Sequence, residues 1–82
     1  MIYVHRLKTN SKVIGLKQTL KALENEEVEV LYVAKDAQDE VTIRPIELAG
    51  SKQIPVVYID TMEELGSVCD VEVKTATAAL IK

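Results

Sequence analysis

Val28-Glu29-Val30-Leu31-Tyr32-Val33-Ala34 (VEVLYVA, residues 28–34) is the stretch that decides the fold. It is β-branched and aromatic, and after Val30 it is apolar without a break. A strand with one wet face alternates; a strand covered on both faces does not, so this one reads as a buried central strand. A second run, IPVVYI at 54–59, reads as another buried strand, with Pro55 near its start where a missing N–H is tolerated. Upstream, Leu16, Leu20 and Leu23 recur at i, i+4 and i+7, which predicts a helix over 16–25 that stops at Asn25. Lys12-Val13-Ile14 ahead of it reads as a short strand, preceded by a weak helical segment.

Between the two long strands, Pro45 lacks a backbone donor and suits a first helical position. The sequence therefore predicts a helical turn over 39–43 and a separate helix from Pro45 to about Ser51, ended with help from Gly50. Thr61-Met62-Glu63-Glu64 fits a capping box and predicts a helix over 62–68. Residues 70–75 read as a loop and 76–81 as the last strand. Strictly alternating helices and strands imply an α/β domain with a largely parallel or mixed sheet, covered on both faces.

The 82 residues are read as one domain, with 48% hydrophobic and 28% charged residues, an ordinary globular composition. No apolar run approaches the roughly 20 residues that span a bilayer, and residues 1–8 lack a signal-type apolar stretch. Cys69 is the only cysteine, so no internal disulfide forms; a cytoplasmic protein with no membrane partner is expected. Catalysis is poorly supplied. The single histidine, His5, lies far in sequence from Cys69, and no phosphate loop or GxGxxG occurs. Scattered His and Cys give no metal set, so neither metal nor cofactor is expected. Glu24, Glu26, Glu27 and Glu29 read as a solvated helix end and strand entry. The chain reads as a non-enzyme.

Charge is unevenly placed. Residues 1–21 carry Arg6, Lys8, Lys12, Lys17 and Lys21 and no acid, whereas the rest carries five Lys/Arg against thirteen Asp/Glu. Such asymmetry suggests a local anion site on an otherwise acidic body. On a helix opening at Gly15, the residues Lys17, Gln18 and Lys21 share one polar stripe opposite the leucines. The stripe is either a solvated face or a surface whose lysines and free N–H groups meet phosphate or guanine edges. Val71-Glu72-Val73-Lys74 is the second candidate: its valines either tuck into the core or form an apolar lip for an unstacked base. Three Tyr with no Phe or Trp disfavour recognition by base stacking alone.

GLKQTLKAL at 15–23, VLYVAKDA at 30–37, IRPIELAGSKQIPVVYI at 43–59 and ELGSVCDVEVKTATAALI at 64–81 together resemble the kink-turn RNA-binding ribosomal proteins of the L7Ae/L30e type, most closely their small bacterial branch. The resemblance covers nearly the whole chain. It implies a three-layer α-β-α sandwich with a four-stranded mixed sheet and a monomeric RNA-binding protein without a small-molecule substrate. The RNA would be a kink-turn, tandem G·A pairs next to a bulge, in ribosomal or structured regulatory RNA, and the protein would be ribosome-associated. In the family the helix after the first strand begins Gly-Thr-Asn-Glu, and its Asn and Glu contact guanines. The matching positions here are Gly15, Leu16, Lys17 and Gln18, so three of four differ. Gln18 keeps an acceptor without the charge-assisted bond, and Lys17 exchanges a planar amide for charge. The resemblance also implies that Lys21 supports the guanine contact, that Val71, Glu72, Val73 and Lys74 cover bulge nucleotides, and that Lys35 and Asp36 approach the same RNA. Lys12 is counted with the general phosphate-facing charge. The alternative is a protein-interaction module of the same fold that uses its acidic surface.

Overall fold

A computed structural model of the chain describes residues 11–82; the weak helical segment expected ahead of Lys12 lies outside these residues. The described elements are β1 (Lys12–Ile14), α1 (Leu16–Glu24), β2 (Val28–Ala34), α2 (Asp39–Ser51), β3 (Val56–Ile59), α3 (Met62–Val68) and β4 (Thr77–Ile81). They form one four-stranded mixed sheet of order β1-β4-β2-β3, in which β2 pairs parallel with β3 while β4 runs antiparallel to both β1 and β2. The three-layer α-β-α sandwich that the resemblance implies is the fold observed, and it agrees with the alternation of elements.

The inner strands decide the layers. Val28 faces Ile81 and Val30 faces Leu80, so Glu29 is an extra residue on β2. That bulge reverses the alternation: Val28 joins Leu31 and Val33 on one face, while Val30, Tyr32 and Ala34 line the other. The first face packs against Ala22 and Leu23 of α1 and Ala49 of α2. The second packs against Leu65 of α3 and Cys69 just beyond it. Ala78 and Ala79 of β4 are fully buried, one on each face, and their small side chains let both helical layers come close. Burying side chains of the size of Leu23, Leu31, Leu65 and Leu80 contributes about 1.5–3 kcal/mol each.

Four local expectations are corrected. The fully buried face of α1 is Thr19, Ala22 and Leu23, with Leu16 and Leu20 only half-buried; Ala22 and Leu23 pack in one cluster with Ala79 of β4. α2 is one continuous helix with Pro45 inside it. Pro45 forgoes one backbone bond, yet Thr42, Pro45 and Ala49 share the buried face, and burial of the ring offsets that loss. Gly50 lies within α2 and does not end it. IPVVYI is an edge strand, not a buried one: β3 begins at Val56, and Tyr58 is 50% exposed.

All three described helices instead end in the same way. Glu26, Gln53 and Asp70 adopt φ of 58°, 59° and 64°. In each case that residue's N–H and the next one's bond back to the final turn: Glu26 to Leu23 and Glu27 to Ala22, Gln53 to Gly50 and Ile54 to Ala49, Asp70 to Ser67 and Val71 to Gly66. These are Schellman endings built without glycine at the left-handed position.

Candidate nucleic-acid interface

Strand register brings the loops and helix starts that carry the candidate residues, Lys12 excepted, to one end of the sheet. Ile14 pairs with Ala78, Val33 with Thr77, and Ala34 with Ile59. The exits of β1, β2 and β3 and the entry to β4 therefore lie side by side. The start of α1 follows the first exit, Lys35-Asp36 the second, and Asp60-Thr61 with the start of α3 the third. The loop leading into β4 completes the set. α1 covers one face of the sheet and α3 the other, so the helix start and the valine loop flank the entry to β4 from opposite sides.

Gly15 joins β1 to α1 with φ 97° and ψ 158°, a conformation that disfavours any side chain. Nothing lies within 4 Å of where its Cβ would be, so the backbone twist, not crowding, demands glycine. Its N–H donates to the Thr77 carbonyl at 3.0 Å, which locks the helix start to β4. Among the described residues no side chain caps α1, and its first turn holds no acid. The N–H groups of Leu16, Lys17 and Gln18 thus lack intrahelical partners and concentrate partial positive charge. Lys17 and Gln18 are exposed there, and Lys21 is exposed one turn further along. A lysine in a first turn opposes the helix dipole, so Lys17 at this start costs stability.

The second candidate is resolved into two roles. Val71 is half-buried and packs on the core beneath α3, whereas Val73 is 67% exposed. Glu72 and Lys74 are exposed beside it. The loop is pinned to α3 by Val71 N–H donating to Gly66 O and Thr75 N–H donating to Met62 O, both at 3.0 Å. The Thr75 hydroxyl donates to Val73 O at 3.3 Å. A cleft of about 490 Å³ opens along the loop, with Glu63, Ser67, Val71, Val73 and Lys74 among its walls.

Lys35 and Asp36 lie at the same sheet end, where each has a partner within the protein. Asp36 Oδ1 accepts from Met62 N–H at 2.7 Å and so caps α3. The Lys35 ammonium lies 3.2 Å from Asp60 Oδ1, both groups being exposed. Lys12 sits apart, opposite Leu80, and on the face that Ile14 shares with α3. Burial pushes the nearby Cys69 thiol up to about 11, and the Lys12 ammonium acts in the lowering direction. Among the described residues no group of three or more His, Cys, Asp or Glu could hold a metal. None of the helices described is long and apolar enough to cross a membrane.

Gly66 enters the sequence reading only as part of the ELGSVCD family marker, without a structural role of its own. It stands inside α3, where glycine costs about 1 kcal/mol relative to alanine, and that cost was the available signal. A Cβ at this position would strike the Val73 carbonyl oxygen.

Known proteins resemble this chain in sequence and in fold. The profile of the ribosomal protein L7Ae/L30e/S12e/Gadd45 family matches residues 4–82. An RNA-binding protein of Halalkalibacterium halodurans is 51% identical over 70 residues, 85% of each chain. The large ribosomal subunit protein eL8 of Halobacterium salinarum is 36% identical over 74 residues, 89% of this chain and 62% of its own. Among solved structures, the Giardia lamblia 15.5kD RNA binding protein superposes with a TM-score of 0.89 at 25% identity, covering 98% of this chain and 71% of that one. The chain belongs to the ribosomal protein L7Ae/L30e/S12e/Gadd45 family, within its small bacterial L7Ae-like branch.

Proposed function

We propose that this protein binds RNA as a single chain and recognises kink-turns, stabilising them in ribosomal or structured regulatory RNA. One observation carries the reading: the uncapped, acid-free start of α1, with Lys17 and Gln18 exposed, flanks the entry to β4 opposite the loop that presents Val73. The names of its relatives, RNA-binding proteins and a ribosomal protein, support the same class of ligand. An A-form major groove is too deep and narrow for side chains, but a bulge beside tandem G·A pairs opens it. A helix start then reaches guanine edges: Lys17 donates to O6 or N7, and Gln18 accepts from a guanine N–H. Val73 covers an unstacked bulge nucleotide, and the phosphates that converge on the bend meet Lys21 and the free N–H groups. No bond in the RNA is changed. The protein favours the bent form because its contacts exist only there.

The test is a titration with a kink-turn RNA and with a version whose G·A pairs are replaced by Watson–Crick pairs, at several salt concentrations. The bent RNA is expected to bind at least about 100-fold tighter, the worth of two lost base contacts. Equal affinities would refute the reading. A second reading, a protein-interaction module, draws on Ile43 (54% exposed) beside Asp39, Glu40 and Glu47 on α2. A stoichiometric protein partner retained from RNase-treated lysate would favour it.

A further inference from the structure

We infer that Gly66 is a positioning residue whose missing side chain sets the direction in which Val73 points. The consequence for RNA rests on the proposed function; the geometry does not. The chain returns from α3 to β4 between two anchors, Val71 N–H on Gly66 O and Thr75 N–H on Met62 O. Val73 is the midpoint, and its carbonyl is turned inward over Gly66, where it also accepts from the Thr75 hydroxyl. With the carbonyl held inward, the Val73 side chain is left outward, 67% exposed. A Cβ on residue 66 would collide with that carbonyl oxygen, lie 3.3 Å from the carbonyl carbon and 3.5 Å from Thr75 Oγ1. The obstacle is backbone, which cannot rotate aside as a long side chain would, so the loop tip must lift.

α2 supplies a control. Gly50 is also inside a helix, but nothing lies within 4 Å of its Cβ position. Glycine there has no packing reason, and Gly50→Ala is expected to leave the loop unchanged.

The experiment compares the unaltered protein, Gly66→Ala and Gly50→Ala. Without RNA, hydrogen exchange at the Thr75 amide is expected to accelerate by about tenfold or more in Gly66→Ala, while β2 and β4 amides keep their protection. Gly50→Ala should show no such change. With kink-turn RNA, Gly66→Ala should bind about tenfold more weakly, an effect of the size of one lost interface contact. Adding Val73→Ser to Gly66→Ala should cost little more, because both remove the same contact. Unchanged Thr75 exchange in Gly66→Ala, or losses that simply add, would overturn the assignment. Should the unaltered protein ignore the kink-turn while the exchange result holds, the RNA reading falls and the role of Gly66 in the loop stands. If Gly66→Ala does not fold, Thr75→Val gives both readouts, since it removes only the hydroxyl bond to Val73 O.

Discussion

The starts of α1 and α3 lie at the same end of the sheet and are finished in opposite ways. At α3, Thr61 Oγ1 accepts from Glu64 N–H at 3.0 Å, Asp36 Oδ1 accepts from Met62 N–H at 2.7 Å, and Glu63 and Glu64 occupy the first turn. At α1, the capping position is a glycine, the first turn has no acid, and Lys17 adds a cation where the dipole disfavours one. Among the described residues, one helix start is satisfied by side chains and the other is not. Polar capacity left unfilled at an ordered helix start is what a ligand can take up.

Giving α1 an acid tests this contrast with the largest effect. Lys17→Glu should stabilise the fold slightly, by about 0.3–1 kcal/mol, while weakening kink-turn binding by about 100-fold or more. Thermal unfolding and an RNA titration on the same sample check both halves. Loss of stability together with unchanged binding would reverse the assignment of the two helix starts. Gly15→Ala acts on the turn that aims α1. Its φ of 97° should cost about 1–3 kcal/mol in urea unfolding, through backbone strain and not through a clash.

The far end of α3 supplies a pH test. Cys69 is raised from 9.0 to about 11 by burial, so the unfolded chain releases its thiol proton first. The stability this contributes is complete below about pH 9 and is lost as pH climbs through about 11. Urea midpoints measured across that window should fall, and Cys69→Ala should flatten the decline. The capped start should behave as structure alone: Thr61→Ala is expected to cost about 1 kcal/mol and to leave discrimination between bent and straight RNA intact. Smallest of all, Gln53→Gly relieves a left-handed φ of 59° and should add up to about 1 kcal/mol without touching RNA binding.

How much of this was readable depended on how local the cause was. VEVLYVA announced its strand because a doubly covered strand must be apolar throughout, and residues 62–68 announced their helix through Thr61 and Glu64. Pro45 misled because a lost backbone bond is visible in sequence while the packing that offsets it is not. The edge position of β3 was hidden because strand order is set by pairing between distant segments. Helix endings at Glu26, Gln53 and Asp70 carried no glycine to mark them. At the candidate site, Lys17 and Gln18 were legible from helical spacing and from the family resemblance. The bond from Met62 to Asp36 was not, since it joins residues 26 positions apart.

The claim beneath all of this is that the open amides of α1 meet RNA while those of α3 are already engaged. Backbone amide hydrogen exchange, residue by residue, with and without kink-turn RNA, tests it most directly. Leu16, Lys17 and Gln18 should gain protection of about tenfold or more on binding, with Met62 and Glu64 unchanged. Protection that rises at α3 and leaves α1 as it was would contradict the account.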